Sequence, residues 1–168
     1  MSFKELIDIL KHEAKGYGGG NLVILYIIEP RFRVNALFRM GQFLYKNNCC
    51  KVLRWFIRIK LWLKYSFEVY FNVEIDKGLK IVHLGRIVIH SNCKIGKNCK
   101  ILNDVNIGSD GKGEPVIGDN VFIGAGAKII GQTKIGNNCK VGANAVVKGE
   151  FEDNCIIAGV PAKKIKSI

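Results

Sequence analysis

Histidine is scarce in this chain of 168 residues, which holds only His12, His83 and His90. A zinc site of three converging imidazoles is poorly served, since His83 and His90 stand seven apart and no third histidine follows. Six cysteines are present, but no Cys-x-x-Cys or mixed Cys/His spacing of the kind that holds zinc. No metal is expected. Acidic residues are also short, 14 against 26 Lys and Arg, for a formal net charge of +12 spread over both halves. That bias favours an anionic partner such as a phosphorylated cofactor or a membrane surface. Nucleic acid is not expected, because neither a recognition motif nor aromatics interleaved in a basic groove accompany the charge. No uncharged apolar run reaches membrane-spanning length. Met1-Ser2-Phe3-Lys4-Glu5 leads into an amphipathic segment rather than an apolar leader, so a cytoplasmic protein is the expectation.

What is present is a beat of six. From Ile89 to Val147 an aliphatic residue or Cys returns every sixth position, often followed by Gly, as in Ile95-Gly96, Ile107-Gly108, Ile117-Gly118, Ile123-Gly124, Ile135-Gly136 and Val141-Gly142. Four residues on stands a small or apolar side chain: Cys93, Cys99, Val105, Val121, Ala127, Thr133, Cys139 or Ala145. A period of six fits neither a helix nor a plain strand. It fits a prism whose faces are one hexad wide, three hexads to a coil, with Gly or Asn at the corners. The fold class is therefore mainly β, a left-handed parallel β-helix of hexapeptide repeats. Cys93, Cys99 and Cys139 fall on the small position and read as reduced core fillers. Cys49-Cys50 are adjacent and Cys155 stands alone near the end. The beat slips once, between Ile107 and Ile117, where four extra residues around Ser109-Asp110-Gly111-Lys112-Gly113-Glu114 must bulge out as a loop. After Val147 the coils are expected to stop.

Residues 1–66 read as a helical cap and 67–168 as the β-helix with a C-terminal tail. Helical stretches are expected over Phe3–Lys15, about Arg31–Lys46 and Lys51 to about Tyr65, broken first by Gly16-Tyr17-Gly18-Gly19-Gly20. In residues 51–66 the apolar sector, with Trp55, Phe56 and Trp62, is too wide for one packed face. Two readings stand: burial against neighbouring subunits, or peripheral contact with the inner membrane face through basic residues at anionic headgroups. The flat prism faces lead us to expect a homotrimer, with ligand sites in the clefts between copies. Among the histidines, His12 reads as surface or packing and His90 as a solvated turn residue. Carried back unchanged, the register sets His83 on the inward stacking position, where it would be buried. The periodicity leaves its role open.

Several segments together carry a family likeness. They are Glu29-Pro30-Arg31-Phe32-Arg33 with Leu37-Phe38-Arg39, Lys77-Gly78-Leu79 with His83-Leu84-Gly85-Arg86-Ile87-Val88-Ile89, Ile123-Gly124-Ala125-Gly126-Ala127-Lys128-Ile129, and Ala158-Gly159-Val160-Pro161-Ala162. Through them most of the chain resembles the serine acetyltransferase family of hexapeptide-repeat acyltransferases, particularly the short members of bacterial capsule and exopolysaccharide loci. The resemblance implies acetyl-CoA as co-substrate and His83 as general base. It implies that Glu68, fifteen residues earlier where the family has Asp, orients the imidazole, and that backbone donors at Gly108 and Ser109 meet the thioester oxygen. Ala125 and Ala143 would face the pantetheine arm, with Gly126 leaving room for it. Lys163 and Lys164, with Lys128 and Lys140, would meet the nucleotide phosphates. Two acceptor-binding positions depart from the serine-specific pattern: Val82 replaces an Asp, and Gly113-Glu114 before Pro115 replaces an Arg-His pair. A hydroxyl-rich acceptor fits these better, so the expected reaction is O-acetylation of a sugar or glycan precursor. L-serine as acceptor, as in cysteine biosynthesis, is the alternative. An amino sugar and a non-catalytic trimeric scaffold are further ones.

Overall fold

A computed structural model describes residues 1–168. Four helices precede the coils: α1 (Phe3–Lys15), α2 (Leu22–Ile28), α3 (Pro30–Lys46) and α4 (Lys51–Tyr65). α1 starts on a capping box, in which the Ser2 hydroxyl accepts from Glu5 N–H and the Glu5 carboxylate accepts from Ser2 N–H. α2 lies in a stretch the sequence leaves unassigned. Asn21 caps it through Val23 and Ile24 N–H, and Leu25 alone is buried. α3 opens with Pro30 in its first turn, behind a Glu29 cap.

The coils follow in order. The first holds β1 (Phe67–Val69), β2 (Glu74–Ile75) and β3 (Lys80–Ile81), and the second β4 (Ile87–Ile89), β5 (Lys94–Ile95) and β6 (Lys100–Ile101). The third holds β7 (Val105–Gly108), β8 (Val116–Ile117) and β9 (Phe122–Ile123), and the fourth β10 (Lys128–Ile130), β11 (Lys134–Ile135) and β12 (Lys140–Val141). The fifth holds β13 (Val146–Val147), β14 (Glu150–Phe151) and β15 (Cys155–Gly159), and β16 (Ala162–Ser167) returns antiparallel along β15. Corresponding strands stack in parallel as three sheets. Sheet A runs β1-β4-β7-β10-β13, sheet B β2-β5-β8-β11-β14, and sheet C β3-β6-β9-β12-β15-β16. The coils therefore do not stop at Val147. Lys148 and Gly149 make a corner two residues shorter than the one before, and Phe151 and Ile157 still pair with Ile135 and Val141.

Inside, Ile81, Ile101, Ile123, Val141 and Ile157 form one column, and Ile75, Ile95, Ile117 and Ile135 another. Each such side chain contributes about 1.5–3 kcal/mol by leaving water. Cys99, Cys139 and Cys155 are buried free thiols. Cys155 is not alone, since its Sγ lies 3.5 Å from Cys139 Sγ, and burial pushes its pKa up to about 11. At the corners between sheets B and C, Asn98, Asn120, Asn138 and Asn154 adopt left-handed backbone with φ of 55–58°. Their amides join in a ladder at 3.1, 3.0 and 2.9 Å. His12 finishes it from below, with Nε2 3.0 Å from Asn98 Oδ1.

The first coil has no coil beneath it, and its carbonyls need donors. α3 supplies them from one face. Arg31 donates to Val82 O at 3.1 Å, Asn35 to Leu79 O at 2.6 Å, Arg39 to Ile75 O and Asp76 O at 2.7 Å each, and Gln42 to Val73 O at 2.9 Å. Arg39 is buried with Glu13, at 2.6 Å. α3 comes so close that a Cβ on Gly41 would stand 2.1 Å from the Phe71 ring, which makes glycine obligatory there. One apolar core runs from Val34 and Phe38 of α3, through Ile57 and Leu61 of α4, into the coils.

Candidate functional site

Between β3 and β4 the chain departs from the beat. Ile81 and Ile89 both point inward, yet they stand eight apart, and the first coil is two residues longer than the second along sheet A. Val82 N–H bonds Ile101 O at 2.9 Å, as Leu102 N–H bonds Ile123 O one coil up. By Gly85 the register has moved by two, for its Cβ position lies 2.8 Å from Asn103 Cβ. The surplus pair is His83-Leu84. This corrects the inward placement of His83: the imidazole is exposed on a bulge at the corner between sheets C and A.

Glu68 lies on the outer side of β1, one coil below Val88, and is exposed too. It stands in a groove of about 370 Å³ whose other wall is Trp55, Arg58, Ile59 and Trp62 of α4. Arg58 lies 5.2 Å over the Tyr70 ring. Sequence reasoning missed this juxtaposition. It treated α4 and Glu68 separately, whereas the left-handed Ser66 reverses the chain and lays β1 beside the helix. Trp55 and Trp62 keep 57% and 54% of their surface exposed, so the wide apolar sector of α4 is largely unburied in one chain. No helix is long and apolar enough to cross a membrane.

The opposite edge of sheet A, toward sheet B, carries the loop after β7. Ser109 Oγ donates to Gly113 O and accepts from Gly111 N–H, both at 3.0 Å. Lys148, with its Nζ 2.9 Å away, holds the Asp110 carboxyl below its usual range. Gln132 donates to Lys112 O at 2.8 Å. The bulge is thus a braced turn. Glu114 at its end is half-buried and accepts from Asn92 Nδ2 at 3.4 Å. His90 sits on this edge also, 6.1 Å from the Tyr70 ring. Val82 and Glu114 therefore lie on opposite edges of sheet A, and one chain does not bring them together. The same holds for His83 and Gly108-Ser109.

Ala125, Gly126 and Ala143 line up above His83 on the C–A edge, since each follows a sheet C strand and precedes a sheet A strand. Ala143 is exposed and Ala125 half-buried. Gly126 is buried with φ +74°, and a Cβ there would stand 2.0 Å from Asn144 Oδ1. The left-handed backbone itself calls for glycine here. Lys163 and Lys164 lie elsewhere. β16 carries them to a groove of about 930 Å³ facing Lys134, Gly136 and Glu150 of the sheet B side. Lys164 is paired with Glu152, which raises its pKa. Lys128 is tied to Asp104, donating to its carbonyl at 2.6 Å. Lys163 and Lys164 thus lie apart from the alanines within a chain, whereas Lys128 stays on the alanines' edge.

The geometry defines a hexapeptide-repeat solenoid with an N-terminal helical cap, and the profile of the bacterial transferase hexapeptide family (six repeats) matches residues 114–149. Over 84% of its length the chain is 39% identical to a serine acetyltransferase of Staphylococcus aureus (strain N315), and over 89% it is 30% identical to that of Staphylococcus xylosus. It spans 65% of the length of each of these relatives. Among solved structures, the Neisseria gonorrhoeae serine acetyltransferase in complex with serine superposes with a TM-score of 0.81 at 25% identity, over 98% of this chain and 71% of that one. A serine acetyltransferase in complex with CoA shares the fold at TM-score 0.85 and 24% identity, over 97% of this chain and 71% of that one. The chain is a hexapeptide-repeat protein homologous to the serine acetyltransferases.

Proposed function

We propose that the chain transfers the acetyl group of acetyl-CoA to the hydroxyl of L-serine. The observation that carries this reading is an exposed His83, on a bulge of its own, in a chain 39% identical to a serine acetyltransferase across 84% of its length. In this reading the imidazole takes the hydroxyl proton as the oxygen attacks the thioester carbonyl. The C–S bond then breaks, and the CoA thiolate leaves with the proton returned by the imidazolium. Glu68 orients the imidazole, and the backbone N–H groups of Gly108 and Ser109 meet the carbonyl oxygen as it gains charge. Ala125 and Ala143 border the path of the pantetheine arm, and Lys163 serves the phosphates. We place the reaction in the cytoplasm.

The sequence alone favoured a sugar hydroxyl, and the relatives favour serine instead. The sugar remains a second reading on three observations: Val82, Glu114, and the indole-lined groove beside Glu68. Thiol release from acetyl-CoA with L-serine and with a panel of sugars and nucleotide sugars decides between them. Turnover with serine supports the first reading, and turnover confined to sugars replaces it with the second. No release with any acceptor leaves a scaffold.

We further propose a homotrimer in which the C–A edge of one copy meets the A–B edge of the next. It is supported by the division of the candidate residues between two edges with the whole width of sheet A between them. The neighbouring copy would also cover the apolar side of α4. A particle of one chain mass in light scattering would overturn the trimer. Peripheral membrane contact through residues 51–66 is the competing use of that surface, and pelleting with anionic vesicles would favour it.

A further inference from the structure

We propose that Arg31 is a positioning residue for His83, acting through the carbonyl of Val82. This rests on the reading of His83 as the base. His83-Leu84 has no counterpart in the coil above, so coil stacking does not fix how the chain leaves the prism there. The last bond to the coil above is Val82 N–H on Ile101 O, and beyond it the departure is fixed from below. Arg31 Nη1 donates to Val82 O at 3.1 Å. The rest of its fork is locked to Glu29, Nε to Oε1 at 2.8 Å and Nη2 to Oε2 at 2.7 Å. Such a two-point pair fixes orientation as well as distance. Glu29 is itself tied to the start of α3, where Oε1 accepts from Arg31 N–H at 3.1 Å. The two peptides before are held as well: the Tyr17 hydroxyl donates to Ile81 O at 3.3 Å and accepts from Ile81 N–H at 2.8 Å, and the Arg31 guanidinium lies 5.9 Å over the Tyr17 ring. Three consecutive peptide units leading into His83 are therefore tied to the cap.

Arg31 differs from the other donors on its helix face. Asn35, Arg39 and Gln42 are buried and bond segments of the first coil that carry no candidate chemistry. The Arg31 side chain is 38% exposed, and an ion pair so open to water adds little to stability. Its geometry is nevertheless set at three points. A group that is cheap to lose for folding but closely aimed at the peptide before His83 serves orientation.

The test compares Arg31→Met and Arg31→Lys with the unaltered chain. It reads thermal midpoint, steady-state thiol release, and the imidazole NMR signals of the three histidines. We expect Arg31→Met to fold with a nearly unchanged midpoint and kcat about 10- to 100-fold lower. Its KM for acetyl-CoA should stay within about twofold, because only orientation is lost. The His83 signals should shift while those of His12 and His90 hold. Arg31→Lys, with one donor and no fork, should fall between. A folded Arg31→Met with unaltered kcat and unmoved His83 signals overturns the proposal. If the unaltered chain releases no thiol with any acceptor, the acetyl-transfer reading falls. The NMR comparison then decides the clamp alone, moved His83 signals supporting it and unmoved ones overturning it. Should Arg31→Met fail to fold, the same two outcomes are read on Arg31→Lys.

Discussion

Two edges of the prism follow opposite rules. Along the B–C edge every corner from the second coil to the fifth repeats the same asparagine, and each amide is satisfied by the next. Along the C–A edge the left-handed turn recurs at Asp104, Gly126 and Asn144, but the residues change at every corner. The lowest holds a surplus His83-Leu84, the next Asn103-Asp104, and those above Ala125-Gly126 and Ala143-Asn144. The regular edge spends its polar groups on itself and has little left for a ligand. The irregular edge leaves an imidazole exposed and ties only its backbone down. Regularity along a repeat marks what holds the molecule together, and a break in it marks where chemistry is to be sought.

The sharpest way to break this comparison is His83→Ala. Turnover should fall about 10²- to 10⁴-fold, while stability moves by under about 0.5 kcal/mol, since an exposed side chain is removed. Initial rates and urea denaturation check it. Loss of folding with the imidazole would make that edge structural after all. Next in size is Arg39→Met, which leaves Glu13 buried without its partner and strips Ile75 and Asp76 carbonyls of a donor. We expect a loss of about 3–5 kcal/mol, read from the urea midpoint. Asn120→Ala tests the ladder. It removes two amide bonds and sets alanine at φ +58°, for a loss of about 1–2 kcal/mol. Turnover per folded molecule should be unchanged, and Asn120→Gly should recover part of the stability. The smallest effect concerns acid. Arg31 holds the Glu29 carboxyl below its ordinary 4.5. A lowered folded pKa means stability that is present above the ordinary value and lost as pH falls through the folded one. With Arg31 partly exposed the increment is under about 1 kcal/mol. Thermal melts taken from neutral to acid pH should show it, and Glu29→Gln should lose it.

The hexad beat was enough to read the parallel coils and nearly every inward residue from Ile89 to Val147. Three other places were not legible, for identifiable reasons. His83 lies six before Ile89 and Ile81 lies eight before it, so apolar spacing alone admits two registers. What decides is Tyr17, in the turn after α1, and Arg31 of α3, which grip Ile81 and Val82 from 64 and 51 residues earlier in the chain. The fifth coil was hidden because Lys148-Gly149 removes two residues and Phe151 takes an aliphatic position. α2 escaped because Leu22–Ile28 is rich in β-branched residues, and its helix depends on the Asn21 cap and on Leu25 packing with Ala14 and Phe32. Candidate site residues were legible one at a time. Their distribution over two edges was not, because a linear spacing says which face a residue takes but not which neighbour the face will meet.

The polar face of α3 ends all its coil bonds on a single turn, between Val73 and Val82. The height of the solenoid is thereby uncoupled from its foundation. Whole turns inserted or removed higher up would leave the stand on which the stack rests untouched, so a lineage can lengthen or shorten the column, and the reach of anything lying along it, without rebuilding the base.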